Sequence, residues 1–212
     1  MRFGIDLDGV IANFTGRIIE IANSIWPGRI RPDFVPDNWD YVGTFTKEEW
    51  NEVWARVKAT PFFWQGAGSL PGMEDLQNFL LQRSGEYAGK VIPSYSLGGR
   101  GTRDEIYFIT ARLATVGESP LVQSSNWLAT YGCWPRDGYS TVIPVAEAKH
   151  KKQLFEGLGL KLMLDDYAPT VAELNEIEGM HAFVLDQPWN RYATELPRVY
   201  SVAEYLDTIK KI

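Results

Sequence analysis

One cysteine and two histidines among 212 residues leave little material for a covalent or metal-built scaffold. Cys133 has no partner for an internal disulfide, and neither a Cys-rich zinc site nor a His-rich metal spacing exists. No apolar run reaches the ~20 residues needed to span a bilayer. The first residues, Met1-Arg2-Phe3-Gly4-Ile5-Asp6, carry an acid where a signal peptide needs an apolar stretch, so a soluble, cytoplasmic chain is expected. A basic excess is missing too: 21 Lys and Arg stand against 27 Asp and Glu, a net charge of −6. That balance gives no basic face for a nucleic-acid polymer. It still allows a small anionic substrate, because a metal ion and one or two placed cations invert the field locally.

What the chain does have is apolar content, 45%, enough for a sizeable core, and an aromatic fraction of 13% with eight Trp. The length suits one domain with an elaboration, or a core plus a small inserted lobe. Residues 2–8 read as a buried strand ending in two acids and Gly9. Residues 10–26 have helical spacing, with Ile11, Phe14, Ile18, Ile21 and Ile25 on one stripe, before Pro27, Pro32 and Pro36 break the chain. Thr46-Lys47-Glu48-Glu49 is a capping-box signature for a helix to about Lys58. A further helix is predicted from Met73 to about Arg83, stopped by Gly85, and residues 86–103 read as a glycine-rich surface insertion.

From there strands and helices alternate. Strands are predicted at Glu105–Thr110, Ser140–Val145, Leu160–Asp165 and Met180–Leu185. Helices are predicted at 120–131, behind Ser119-Pro120, at Glu147–Gly157 and Ala168–Glu178, and after Ser201. Such alternation argues a parallel sheet covered on both faces. Residues 14–67 do not fit it and read as a mostly helical, aromatic-rich cap inserted into a core of 1–13 and 68–212.

Ligands of open parallel sheets bind beyond the carboxyl ends of the strands. Asp6 and Asp8, Thr110, and Asp165 and Asp166 all fall there, and Lys151 opens the helix feeding the fourth strand. Two acid pairs, a hydroxyl and a cation suit a phosphate group on a divalent metal. Asp6, at the strand end, is the natural nucleophile, forming an aspartyl-phosphate. Asp8 can protonate the leaving oxygen and then deprotonate the attacking water. Gly9 permits the sharp turn that brings Asp8 and nearby amides round the phosphoryl group. Mg²⁺ would be held by Asp6, the backbone carbonyl of Asp8 and an acid of the 165–166 pair. Thr110 and Lys151 would bind equatorial oxygens.

Phe3-Gly4-Ile5-Asp6-Leu7-Asp8-Gly9-Val10, Ile109-Thr110-Ala111-Arg112, Lys151 and Leu164-Asp165-Asp166 resemble, in order, the four motifs of the haloacid-dehalogenase (HAD) phosphatase superfamily. The resemblance implies a three-layer α/β parallel-sheet (Rossmann-like) core with a small helical cap after the first strand. It also implies Mg²⁺ as cofactor, Asp166 as direct metal ligand with Asp165 supporting it, and Ala111 beside the phosphate. Pro61-Phe62-Phe63, Leu70-Pro71-Gly72, Leu164-Asp165-Asp166 and Asp186-Gln187-Pro188-Trp189-Asn190 are similar to the 5′(3′)-deoxyribonucleotidase branch, implying nucleoside monophosphates as substrates.

Several assignments stay open at this point. Lys151 shares a helical face with Leu154, Phe155 and Leu158, while Lys152 lies about 100° round; Lys152 and Lys149 are the alternatives. Arg112 suits a phosphate and a surface acid equally. Phe62, Phe63 and Trp64 suit a stacked nucleobase as well as plain packing, whereas Trp50 and Trp54, at helical spacing, are expected in the insert's core. Cys133 is expected to be packed rather than reactive. Rival functions are a phosphatase for a sugar or other metabolite phosphate, a non-catalytic nucleotide sensor, and a phosphatase of nucleic-acid ends. Oligomeric state is not legible.

Overall fold

A computed structural model of the chain describes residues 1–87, 105–133 and 140–210. Six strands form one sheet: β1 (Arg2–Ile5), β4 (Glu105–Ala111), β5 (Ser140–Val145), β6 (Leu162–Asp165), β7 (His181–Leu185) and β8 (Arg198–Val199). Their order is β5-β4-β1-β6-β7-β8 and every neighbouring pair is parallel. Both faces are covered, as a parallel sheet requires. Phe3, Ile5, Ile106, Phe108, Leu162 and Leu164 point to one face, into a core shared with α3 (Met73–Tyr87), α4 (Pro120–Thr130) and α7 (Val202–Lys210). Met163, Ala182 and Val184 point to the other, against α5 (Lys151–Leu158) and α6 (Ala168–Asn175). The period of two along β6 and β7 thus serves two cores at once.

The chain leaves and re-enters this sandwich through a short ribbon. β2 (Ala12–Asn13) pairs antiparallel with β3 (Gly68–Ser69), Ala12 opposite Ser69 and Asn13 opposite Gly68. The ribbon corrects the start of the first predicted helix. Because residues 12 and 13 are extended and paired, α1 runs from Phe14 to Ile25, with the Asn13 side chain accepting from the Gly16 amide. Ile11 therefore packs in the sheet core, not on the α1 stripe.

Between the ribbon strands lie α1, α2 (Lys47–Ala59) and a 3₁₀ turn, Phe63–Gly66. They have a core of their own, built on Phe14, Ile18, Tyr41, Val53 and Phe63. The Thr46 capping box forms as predicted, with Glu49 and Thr46 exchanging side-chain bonds to each other's amides. The returning segment is fastened by α4: the Trp127 indole donates to the Ala67 carbonyl at 2.7 Å, and Gln123 accepts from the Trp64 amide at 3.1 Å.

Other boundaries shift modestly. α3 runs through Gly85 to Tyr87, so that glycine does not stop it. Most of the expected 86–103 insertion lies outside the described residues. The helix predicted from Glu147 is a 3₁₀ turn, Ala148–His150, followed by α5. β8 was not foreseen.

Candidate active site

β1, β4 and β6 are adjacent in the sheet, so their carboxyl ends bring Asp6, Thr110 and Asp165 to one edge. Asp6 closes β1 with its amide on the Leu164 carbonyl at 2.9 Å. The chain then turns tightly: the Leu7 carbonyl accepts from the amides of Val10, Ile11 and Ala12, and Gly9 sits at φ +76°. This turn carries Asp8 back over the sheet edge.

Lys151, at the start of α5, places its ammonium between Asp6 Oδ2 at 2.8 Å and Asp165 Oδ2 at 2.7 Å. The other Asp6 oxygen accepts from the Leu7 amide at 2.8 Å, and the other Asp165 oxygen from the Tyr167 amide at 2.9 Å. Asp166 receives the Trp189 indole N–H on Oδ2 at 2.9 Å, while its Oδ1 is buried without a hydrogen-bond partner. Asp8 accepts from Arg112 on both oxygens at 2.8 Å and from Thr110 on Oδ2 at 3.1 Å.

Of the three candidate lysines, only Lys151 reaches the acids. Lys149 pairs with Glu147 at 2.7 Å and Lys152 with Glu176 at 2.7 Å, both at the surface.

Asp6, Asp8, Asp165 and Asp166 are all buried, against the two buried cations Lys151 and Arg112. When every group is ionised, the site carries two uncompensated negative charges. Burial accordingly pushes the Asp6 carboxyl up to about 7, opposed by Lys151 and reinforced by the charges of Asp165 and Asp8. Asp166 is raised well above the usual carboxylate range, first by burial and then by Asp165 and Asp6. For Lys151, burial works against the charge, but Asp165 and Asp6 outweigh it and hold the ammonium above its ordinary value.

The donor set suits a divalent cation. One oxygen from each of Asp6, Asp165 and Asp166 lies within 4.8 Å of the others, the donors are all hard oxygens, and Asp166 keeps one buried oxygen, Oδ1, unpartnered. A dication would also cancel the excess charge. The residues fit the group.

Above the acids opens a cavity of about 450 Å³. Asp6, Asp8, Thr110, Ala111, Lys151 and Asp166 form its polar floor, and Phe14, Trp39, Trp50, Trp54, Trp64 and Tyr167 its aromatic walls. Trp50 and Trp54 were expected in the insert core; they are half-buried, packing on that core with one side and facing the cavity with the other. Of the three aromatics at the return, Trp64 alone faces it. Phe63 is buried against Phe14 and Trp64. Phe62, at φ +53°, is turned outward over Gly117, about half exposed. Arg112 lies beneath the cavity rather than in its wall. Asn190 and Trp189 were missed as neighbours of Asp166; the sequence held only the loop motif that contains them.

No protein-family model matches the chain, and no curated protein matches it. Solved structures match along nearly its whole length. A HAD-superfamily hydrolase of subfamily IA from Geobacter sulfurreducens shares 14% identity at a TM-score of 0.54, over 98% of this chain and 95% of that one. A HAD family hydrolase from Deinococcus radiodurans R1, with bound phosphate and sodium, shares 13% at 0.54, over 99% and 94%. An L-2-haloacid dehalogenase from Xanthobacter autotrophicus, with chloropropionic acid covalently bound, shares 10% at 0.55, over 99% and 98%. At these identities the likeness is one of fold: a HAD-like α/β sandwich with a largely helical segment between β1 and β4.

Proposed function

We propose that the chain is a Mg²⁺-dependent phosphate monoester hydrolase acting through an aspartyl-phosphate, with nucleoside monophosphates as its substrates. The observation that carries this reading is Asp6 at the floor of an aromatic-walled cavity, bonded to Lys151 and clustered with Asp165 and Asp166. On this reading residues 14–67 are a cap on a core of 1–13 and 68–212, meeting at the β2–β3 ribbon.

In the first step a carboxylate oxygen of Asp6 forms a bond to phosphorus as the ester P–O bond breaks, and protonated Asp8 gives its proton to the leaving oxygen. In the second, Asp8 takes a proton from water as that water attacks phosphorus, releasing phosphate and restoring Asp6. Thr110, Lys151 and the backbone at Gly9 and Ala111 would bind the equatorial oxygens, where transition-state charge spreads. Mg²⁺, held by Asp6, the Asp8 carbonyl and Asp166 with Asp165 in support, would supply the positive charge that lets a phosphate dianion approach a carboxylate.

The walls favour a nucleotide over a sugar phosphate. Indole and phenyl faces suit a stacked base, worth ~1–3 kcal/mol each, and a cavity of about 450 Å³ lies within the usual range for small-molecule sites. Lys151 is the one basic residue among the described lining residues, and Asp40 and Glu147 add negative charge to the wall. A second phosphate would find no further cation among those described residues, which supports a monophosphate.

The test is phosphate release with Mg²⁺ from 5′- and 3′-nucleoside monophosphates, ribo and deoxy, beside hexose and pentose phosphates, with Asp6→Asn as the blank. Release confined to nucleotides and abolished in the variant is the expected result. Release from sugar phosphates would keep the mechanism and end the nucleotidase assignment. A folded, Mg²⁺-loaded protein with no turnover of anything would favour the sensor.

A further inference from the structure

The turn Pro188–Asn190, after β7, reaches both acid-bearing loops of the site. Gln187 Nε2 donates to the Gly9 carbonyl at 2.8 Å, and Asn190 Nδ2 to the Asp166 carbonyl at 2.9 Å and the Leu185 carbonyl at 2.7 Å. Trp189 Nε1 donates to Asp166 Oδ2 at 2.9 Å. The turn is itself fastened from below: Asn190 Oδ1 accepts from the Gln187 amide at 3.2 Å and from Arg198 Nη1 at 2.7 Å, and the same Arg198 nitrogen reaches Asp186 at 2.8 Å. Arg198 belongs to β8, the unforeseen strand at the sheet edge.

This arrangement treats the two Asp166 oxygens unequally. Oδ2 is taken by the indole; Oδ1 is buried with no partner. A buried carboxylate oxygen left bare is costly unless something occupies it. The same indole touches the insert. Trp189 is buried, its ring centroid is 5.8 Å from that of Trp39, and Trp39 stacks on Phe14 of α1 at 5.6 Å.

We propose that Trp189 is a positioning residue for the cation site: its N–H holds Asp166 Oδ2, so that Oδ1 is the oxygen presented to a divalent cation, and Trp39 of the insert keeps the indole in that pose. The inference rests on the cation site proposed above and adds an orienting donor outside the four motifs, joined to the insert by one aromatic contact. Partners of this kind typically change metal affinity about 10–100-fold when removed.

The test is the Mg²⁺ dissociation constant of the full chain by calorimetry, with no substrate present. Trp189→Phe keeps a large ring and removes the N–H; about tenfold weaker Mg²⁺ binding is expected, at the low end of that range. Trp39→Leu keeps the N–H and removes the ring behind it; a smaller loss in the same direction is expected. In the wild-type protein one indole ¹⁵N–¹H resonance, absent from Trp189→Phe, should shift with Mg²⁺ at the calorimetric midpoint. Should Trp189→Phe not fold, Trp39→Leu and the Mg²⁺-sensitive indole resonance carry the test. An unchanged dissociation constant in both folded variants would overturn the positioning role while leaving the cation site intact. A wild-type chain that binds no Mg²⁺ at all would remove the site and this role together.

Discussion

Arg112 grips Asp8 by both carboxylate oxygens, Nε to Oδ2 and Nη2 to Oδ1, each at 2.8 Å. Ser124 of α4 accepts from its third nitrogen at 2.9 Å, and the Trp64 ring lies 5.0 Å from the guanidinium carbon. The sequence left Arg112 between a phosphate and a surface acid, and the structure gives it a buried acid instead. A planar fork sets the direction of a carboxylate in a way an ammonium does not. Asp8, as acid and base, would depend on that direction.

Arg112→Lys should therefore act selectively. Turnover of nucleoside monophosphates, whose leaving alkoxide needs a proton, is expected to fall ~10²-fold or more. Turnover of 4-nitrophenyl phosphate, whose leaving group needs little protonation, should fall far less. Equal losses on both substrates would make Arg112 a structural residue only. Arg112→Ala leaves Asp8 buried without its cation, and should cost ~3–5 kcal/mol in denaturant unfolding.

The raised Asp6 carboxyl, with Asp166 beside it, makes the cation-free protein sensitive to pH. Its folded value is about 7, above that of an unfolded Asp near 4, so the folded state holds a proton that the unfolded state has released. The stability from that proton is whole below about pH 4 and is lost as pH rises through about 7. Mg²⁺ competes with the same proton, so its stabilising effect should grow over that range. Melting in EDTA against melting in Mg²⁺, from pH 5.5 to 8, should show a widening gap. Asp6→Asn should narrow it, leaving the share that Asp166, also raised by burial, contributes; a gap that is constant in the wild type would contradict the linkage.

Gly9 is the tightest point of the acid turn. A Cβ there would lie 2.0 Å from Asp166 Oδ2 and 2.5 Å from its Cγ, at a φ of +76° that L residues avoid. The carboxylate is buried and could yield only by giving up the Trp189 bond to Oδ2. Gly9→Ala is expected to destabilise the fold by at least ~2 kcal/mol and to weaken Mg²⁺ binding as well. Chemical denaturation and calorimetry of the variant read the two effects separately.

Much of this geometry was visible beforehand, for a physical reason. Strands of four to seven residues with acids or hydroxyls at their ends announce both a sheet and the edge where those side chains gather, and parallel order puts those ends together. Helix signals at Thr46 and Ser119 are local and were read correctly. The ribbon of β2 with β3 and the strand β8 are two residues long, too short to carry a period. Arg112 and Trp189 lie 104 and 23 residues from the acids they hold, and no local pattern encodes such partners. Helical spacing at Trp50 and Trp54 marked a buried stripe, but a half-buried residue at a cavity rim gives the same spacing as one in a core.

Cys133 offers a probe of the fold. Its thiol is fully buried, next to Met73 and the Tyr131 carbonyl, and burial pushes it up to about 12. The thiolate is the reactive form, so a disulfide reagent at pH 8 should leave the native protein unmodified and label one thiol per chain on unfolding. Rapid labelling of the native protein would mean that the α4 end opens locally.

Trp54 and Phe62 separate substrate contact from aromatic content. Trp54 packs on Trp50 at 5.6 Å and Phe14 at 6.2 Å and faces the cavity; Phe62 is aromatic and close in sequence to the other wall residues, yet points outward. When the walls stack a base, Trp54→Ala should raise KM for nucleoside monophosphates by about tenfold or more, the equivalent of one lost stack, with kcat nearly unchanged. Glycerol phosphate, which has no ring to stack, should show almost no change in KM. Phe62→Ala should alter neither substrate's KM. A Trp54→Ala variant that weakens both substrates alike would mean the indole only supports the insert, and the base would then have to be sought at Trp39 or Trp64.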